Sequence, residues 1–212
     1  MSDKPILFSG PMVRALLAGT KTQTRRIIKP QPKLAPHHEP VRIEQRGERG
    51  WVWMVNTDRP SYQFATGDWT SRIVVGDRLW VREKHWGVER LGQGSTPHLI
   101  YDEEWAGGLP DESAPLRPCG LDFGPHPSIH MFRWASRLTL TVTEVRVQRL
   151  QDISHDDAVA EGVGIYPKSM SAQKRFREIW ETINGAASWD ANPWVAAYTF
   201  TVERRNIDGE EF

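Results

Sequence analysis

Arg137-Leu-Thr-Leu-Thr-Val-Thr-Glu-Val-Arg-Val-Gln-Arg149 is the stretch on which the fold turns. Leu138, Leu140 and Val142 alternate with threonines, the period of a strand with one buried face. The phase then slips by one residue between Thr143 and Glu144, and Val145 and Val147 continue the apolar series. A one-residue slip inside a continuous run predicts a β-bulge in one long, bent strand. Outward from it, Arg78-Leu-Trp-Val-Arg82 follows the turn Gly76-Asp77. At the far end Tyr198, Phe200 and Val202 alternate with Thr199, Thr201 and Glu203 in a last strand, 195–203. Long bent strands closed by short helices predict an α+β chain built on a small barrel rather than a doubly wound sheet.

Three helices are expected. Ser9 or Gly10 caps the first, which begins at Pro11, carries Met12, Ala15 and Leu16 on one stripe, and stops at Gly19. The second starts at Ser154, with Asp157 three residues on as in a capping box, and ends at Gly162. The third spans 172–184, with Phe176, Ile179, Trp180 and Ile183 at helical spacing, before Asn184-Gly185.

Composition sets the remaining bounds. A chain of 212 residues buries about 70% of its unfolded surface on folding, so a single domain needs neither disulfide nor metal. The one cysteine, Cys119, has no internal partner, which suits a reducing compartment. No stretch reaches the roughly 18 apolar residues of a membrane span, and the first residues lack a signal-peptide pattern. A cytoplasmic protein without membrane contact is expected; its oligomeric state is not legible. The 27 cations balance 27 acids, yet seven cations and no acid lie between Lys4 and His38, while Asp102 to Glu112 holds five acids and no cation. The first pattern favours an anion or phosphate nearby, or is a solvated basic face. The ten tryptophans serve as core or as stacking surface for bases. Residues 31–72 and 84–128 read as long insertions in a single domain spanning 1–212.

Chemistry concentrates in Gly19-Thr20-Lys21-Thr22-Gln23-Thr24-Arg25-Arg26. In an extended chain Lys21, Gln23 and Arg25 share one face and the three threonines the other, and a turn brings Lys21 to Thr24. A hydroxyl beside an amine is a nucleophile beside a base, and burial with neighbouring cations lowers a lysine's pKa. Arginines hold carbonyl or phosphate oxygens by forked hydrogen bonds. The alternative is a solvent-facing basic strand. Cys119, His126 and His130 are of zinc-binding residue types, but Pro127 interrupts the helix that would align the histidines, and no metal is expected. His37 and His38 read as solvated loop. Phosphate-loop, dinucleotide and nucleophile-elbow motifs are absent, so no cofactor is expected. Trp189-Asp190-x-Asn192-Pro193-Trp194 either walls a pocket or pins the last strand.

The motif Gly19-x-Lys21-Thr22-x-Thr24-x-Arg26 after a short helix resembles the opening of the ASCH domain family. Gly76 to Val81, the strand 137–149, Asp157-Ala158-x-x-Glu161-Gly162 and the last strand resemble its following parts in order. The chain as a whole looks like the longer ASCH-domain proteins carried by tailed phages and prophages. The resemblance implies a PUA-like β-barrel with short flanking helices and the two insertions, and a nucleoside or RNA partner. It further implies an amidohydrolase that removes the acetyl group of N4-acetylcytidine, with Lys21 as base, Thr24 as nucleophile and Glu161 as proton donor. Gly19, Thr22, Arg25, Arg26, Trp80 and Arg82 are then expected to bind substrate. Trp80 also fits the core, and Arg82 also fits a pair with Glu83. Other members of that family are RNA-binding modules, and nuclease activity is the third option.

Overall fold

A computed structural model describes residues 2–32, 42–56, 63–88, 98–101 and 125–209. In chain order the elements are β1 (Asp3–Leu7), α1 (Gly10–Leu17), β2 (Gln23–Ile27), β3 (Arg42–Arg46), β4 (Gly50–Asn56), β5 (Gln63–Thr70) and β6 (Arg78–Arg82). They continue with β7 (His85–Val88), β8 (His98–Tyr101), β9 (Pro125–His126), β10 (Thr139–Arg149), α2 (His155–Ala160), α3 (Ala172–Asn184) and β11 (Trp194–Glu203). Contacts divide the chain into two compact units: Thr20–Asp77 with Thr141–Thr201, and Ser2–Gly19 with Arg78–Leu140 and Val202–Phe212.

The first unit holds the motif. β2 pairs antiparallel with β11, setting Thr24 opposite Tyr198 and Arg26 opposite Ala196, and β10 lies on the other side of β11. One face of these strands packs on α2 and α3 through Leu150, Ile153, Ala158, Phe176, Trp180 and Val195. The opposite face buries Ile28, Val147, Trp194 and Tyr198 against Trp51 and Trp53. Covered on both sides, β11 is buried at five successive positions from Trp194 to Tyr198. The covering layer is the antiparallel sheet β3–β4–β5, so the described part of the expected insertion 31–72 contributes core. Trp53 meets Trp194 edge to face, with ring centroids 5.9 Å apart.

Local signals hold where a cap or a stop defines them. The hydroxyl of Ser171 accepts the Lys174 amide at 3.2 Å, and α3 ends before Gly185, whose φ of 97° lies in the region that favours glycine. Phe176 and Trp180 are buried as the helical spacing predicts, while Ile183 stays exposed. Burial in β10 slips phase where expected, with Thr143 and Glu144 both exposed and Val147 buried. The Trp189–Trp194 cluster pins the last strand. Asn192 accepts from Arg149 and Gln151, and the Arg149 guanidinium lies 4.6 Å above the Trp194 ring.

In the second unit β1 runs parallel to β6, and Arg78 forks onto the Asp3 carboxylate. α1 buries Val13, Ala15 and Leu16, with Met12 only half-buried, and Gly19 follows it at φ 71°. β7 pairs with β8 and β9, which come from the expected insertion 84–128.

The α+β expectation stands, but the barrel does not form among the described residues. Every sheet ends on open edges: β2 has its ladder with β11, and β1 its ladder with β6. Closure needs two edge strands to share hydrogen bonds, and those edges do not. Cys119, the pair His37-His38 and the acidic run Asp102 to Glu112 lie outside the described residues. No helix among those described is long and apolar enough to cross a membrane.

Candidate functional site: a buried lysine–glutamate pair at the head of β2

Two residues after the turn that ends α1, the chain makes an isolated antiparallel bridge between Lys21 and Glu161. The bridge is tied on both sides, because the Thr22 amide donates to Ala160 O at 2.8 Å and the Phe200 amide donates to Thr22 O at 2.9 Å. Glu161 is the residue that ends α2, as the sequence predicts. Its own amide is spent on Asp157 O, within the helix. Backbone pairing therefore presses the end of a short helix onto the start of a strand, and both side chains are trapped between them.

Lys21 is 1% exposed and Glu161 6%. The Lys21 Nζ donates to Glu161 Oε2 at 3.0 Å, to Glu161 O at 2.8 Å and to Gln23 O at 2.8 Å. That last acceptor belongs to the peptide joining Gln23 to Thr24, so the amine lies beside the threonine's own backbone. Burial pulls the Lys21 pKa below its ordinary value; the Glu161 carboxylate opposes this, and Arg26 and Arg25 reinforce it.

Strand alternation then divides β2. Gln23 and Arg25 face α2, where Arg25 donates from one nitrogen to Glu161 Oε1 at 2.9 Å and from the other to Asp157 Oδ2 at 3.0 Å. Gln23 donates to Asp157 Oδ1 at 3.1 Å and accepts from Arg25 at 2.5 Å. Phe176 lies beneath the guanidinium at 5.8 Å. Thr24 and Arg26 take the other face. Thr24 is 4% exposed, and the hydroxyl of Tyr198, opposite it, lies 3.3 Å from Ser71 Oγ. Burial lowers the Arg26 pKa, against the attraction of Glu161 and Tyr198.

Of the expected site residues, Lys21, Glu161 and Arg25 are thus joined by hydrogen bonds at the head of β2, and Arg26 reaches Lys21 and Glu161 through its charge; Thr24 is buried on the face of β2 opposite Arg25. Thr22 is exposed, and with its amide committed to Ala160 it has no free backbone donor to offer. Gly19, Trp80 and Arg82 belong to the other unit. There the Gly19 amide closes α1 on Leu16 O, and Arg82 stacks 4.7 Å over Trp80, which is buried. The pair of Arg82 with Glu83 is not what forms: Arg82 donates to Met131 O, and Glu83 takes the guanidinium of Arg137 at 3.1 Å. Successive residues of an extended chain point to opposite sides, which separates 82 from 83.

The sequence marks Asp157 as the capping partner of Ser154 and as the start of the motif ending at Gly162, and the structure gives it more. The Ser154 hydroxyl accepts the Asp157 amide at 3.0 Å, but the carboxylate turns to Gln23, Arg25 and Arg146. An aspartate is one methylene shorter than the glutamate of a reciprocal capping box, and that was the available signal. Burial alone would raise its pKa; hydrogen bonds from Arg146 and Gln23 and the charges of Arg25 and Arg146 overturn this and hold it at about 2.

For metals, His126 stacks on His85 at 5.5 Å, and no group of three His, Cys, Asp or Glu among the described residues is placed to hold an ion. Comparison of the chain with protein families, with characterised proteins and with solved structures finds no match.

Proposed function

We propose that the chain is an amidohydrolase that removes an acyl group from a modified nucleobase or nucleoside such as N4-acetylcytidine, on an ASCH-like, PUA-related scaffold. The observation that carries the reading is the buried Lys21 amine held between the Glu161 carboxylate and the Gln23–Thr24 peptide. Burial pulls the Lys21 amine toward its neutral form, the form that takes a proton from a hydroxyl. Lys21 is the base of the proposed reaction and Glu161, hydrogen-bonded to it, the proton donor.

In the proposed reaction Thr24 Oγ loses its proton to Lys21 and bonds to the acyl carbon. The carbonyl electrons move onto its oxygen, which Arg26 stabilises by charge-assisted hydrogen bonding. As the carbonyl re-forms, the bond to the exocyclic nitrogen breaks and that nitrogen takes the proton of Glu161. Water then cleaves the acyl–Thr24 ester and restores both protons. A positioned proton donor is worth about 10² to 10⁴ in rate.

The assay is incubation with N4-acetylcytidine, with chromatography for cytidine and acetate. Turnover that is lost in Thr24→Ala and in Lys21→Ala supports the reading, and its absence from the unaltered chain ends it. A second reading, a module that binds RNA or a modified base without turnover, is favoured by one detail: the Lys21 amine already has three acceptors, as a purely structural ammonium would. Quenching of tryptophan fluorescence by RNA without acetate release selects it.

A further inference from the structure

Arg25 touches two carboxylates at once, that of Asp157 in α2 and that of Glu161 at its end. Its two terminal nitrogens go to different acids, one to Glu161 Oε1 and one to Asp157 Oδ2. The fork of a guanidinium matches both oxygens of one carboxylate, and bidentate capture is its preferred pairing. Here that pairing is refused, since Asp157 occupies one prong and leaves Glu161 Oε2 to the Lys21 amine.

We propose that Asp157 is a positioning residue that, by holding one arm of Arg25, keeps the second oxygen of Glu161 available to Lys21. The proposal rests on the base-and-acid reading of Lys21 and Glu161. Asp157 is fitted to the task. Its Oδ1 accepts from Gln23 and from Arg146 at 2.7 Å, so two groups from β2 and β10 fix the carboxylate while its Oδ2 faces Arg25. Gln23 extends the brace, donating to Thr199 Oγ1, which in turn donates to Glu144 Oε2. Removing the Asp157 charge frees one Arg25 prong beside a carboxylate that already holds the other, and Glu161 rotates from shared to captured.

The charges that act on Lys21 are those of Glu161 at the end of α2 and of Arg25 and Arg26 of β2, while Asp157 of α2 reaches it through Arg25, and Arg146 and Glu144 of β10 through Asp157. Capture has a signature that loss of charge alone lacks. In Asp157→Asn the Lys21 amine loses its Glu161 contact, and its titration moves to lower pH. Adding Arg25→Lys removes the fork while keeping the cation, so Lys21 recovers Glu161 and titrates higher again. If Asp157 acted only through its charge, the double variant would stay displaced.

The experiment is NMR titration of the Lys21 side chain in the full chain, in the unaltered protein, Asp157→Asn, Asp157→Asn/Arg25→Lys and Asp157→Glu. A downward displacement in the first variant that the second reverses supports the proposal. No displacement, or displacement that persists in the double variant, overturns it. Should Asp157→Asn fail to fold, Asp157→Glu decides: Lys21 titrating with the unaltered protein supports the proposal, and displacement below it overturns it. Acetate release is followed in parallel. A titration that behaves as stated in a protein without turnover leaves the positioning role standing and removes the catalytic reading alone.

Discussion

Glu161→Gln should destabilise the first unit more than Lys21→Met, and the difference follows from how the charges are shared. Glu161 serves two cations, Lys21 at 3.0 Å and Arg25 at 2.9 Å, both almost wholly buried. Losing the carboxylate strands the buried Lys21 amine and leaves Arg25 with Asp157 alone, and breaking a buried pair from one side costs about 3–5 kcal/mol. Lys21 serves one carboxylate, which Arg25 continues to neutralise after the lysine is gone. What Lys21→Met loses is one charge-assisted bond and the donor for Gln23 O and Glu161 O, a loss of about 2 kcal/mol after the methionine stem fills the lysine's volume. Urea unfolding at neutral pH, followed by tryptophan fluorescence, measures both; an unchanged slope confirms that the midpoints report stability. A Lys21→Met cost equal to or greater than that of Glu161→Gln refutes the reasoning, since it would mean that Arg25 does not hold Glu161.

Further outcomes are expected. Asp157 is held at about 2 against an ordinary 3.8, so its folded form is stabilised by about 2 kcal/mol above the unfolded pKa, and this is lost as pH falls from about 4 to about 2. The stability gap between the unaltered chain and Asp157→Asn should therefore shrink over that acid range; a gap independent of pH contradicts the assignment. Trp53→Ala removes a ring that is 1% exposed between Trp194 and the β10 valine and should cost about 3–5 kcal/mol in urea unfolding. Gly19→Ala meets open space but keeps a φ of 71°, so thermal or urea unfolding should show a loss of about 1–2 kcal/mol from backbone strain alone.

Legibility in the sequence followed how local each signal was. The bounds of α3 could be read because Ser171, Phe176, Trp180 and Gly185 lie within one element and each has a fixed role in it. The shared face of Gln23 and Arg25 was legible from alternation, and Glu161 at the end of α2 from the stop at Gly162. The sheet β3–β5 was not, because Trp51, Val52 and Trp53 are all buried; a strand covered on both faces loses the period of two that reveals it. The second role of Asp157 was hidden because its partners, Gln23, Arg25 and Arg146, lie far off in the chain or on another element. The open edges of β1 and β2 depend on which distant strands pair, and no local pattern records that.

The most direct test of the central claim is to quench the chain during turnover of N4-acetylcytidine and map its covalent modification by mass spectrometry. An acetyl group on Thr24, absent from Lys21→Ala, is the expected result. Deacetylation that proceeds with Thr24 unmodified, or that survives Thr24→Ala, contradicts the account.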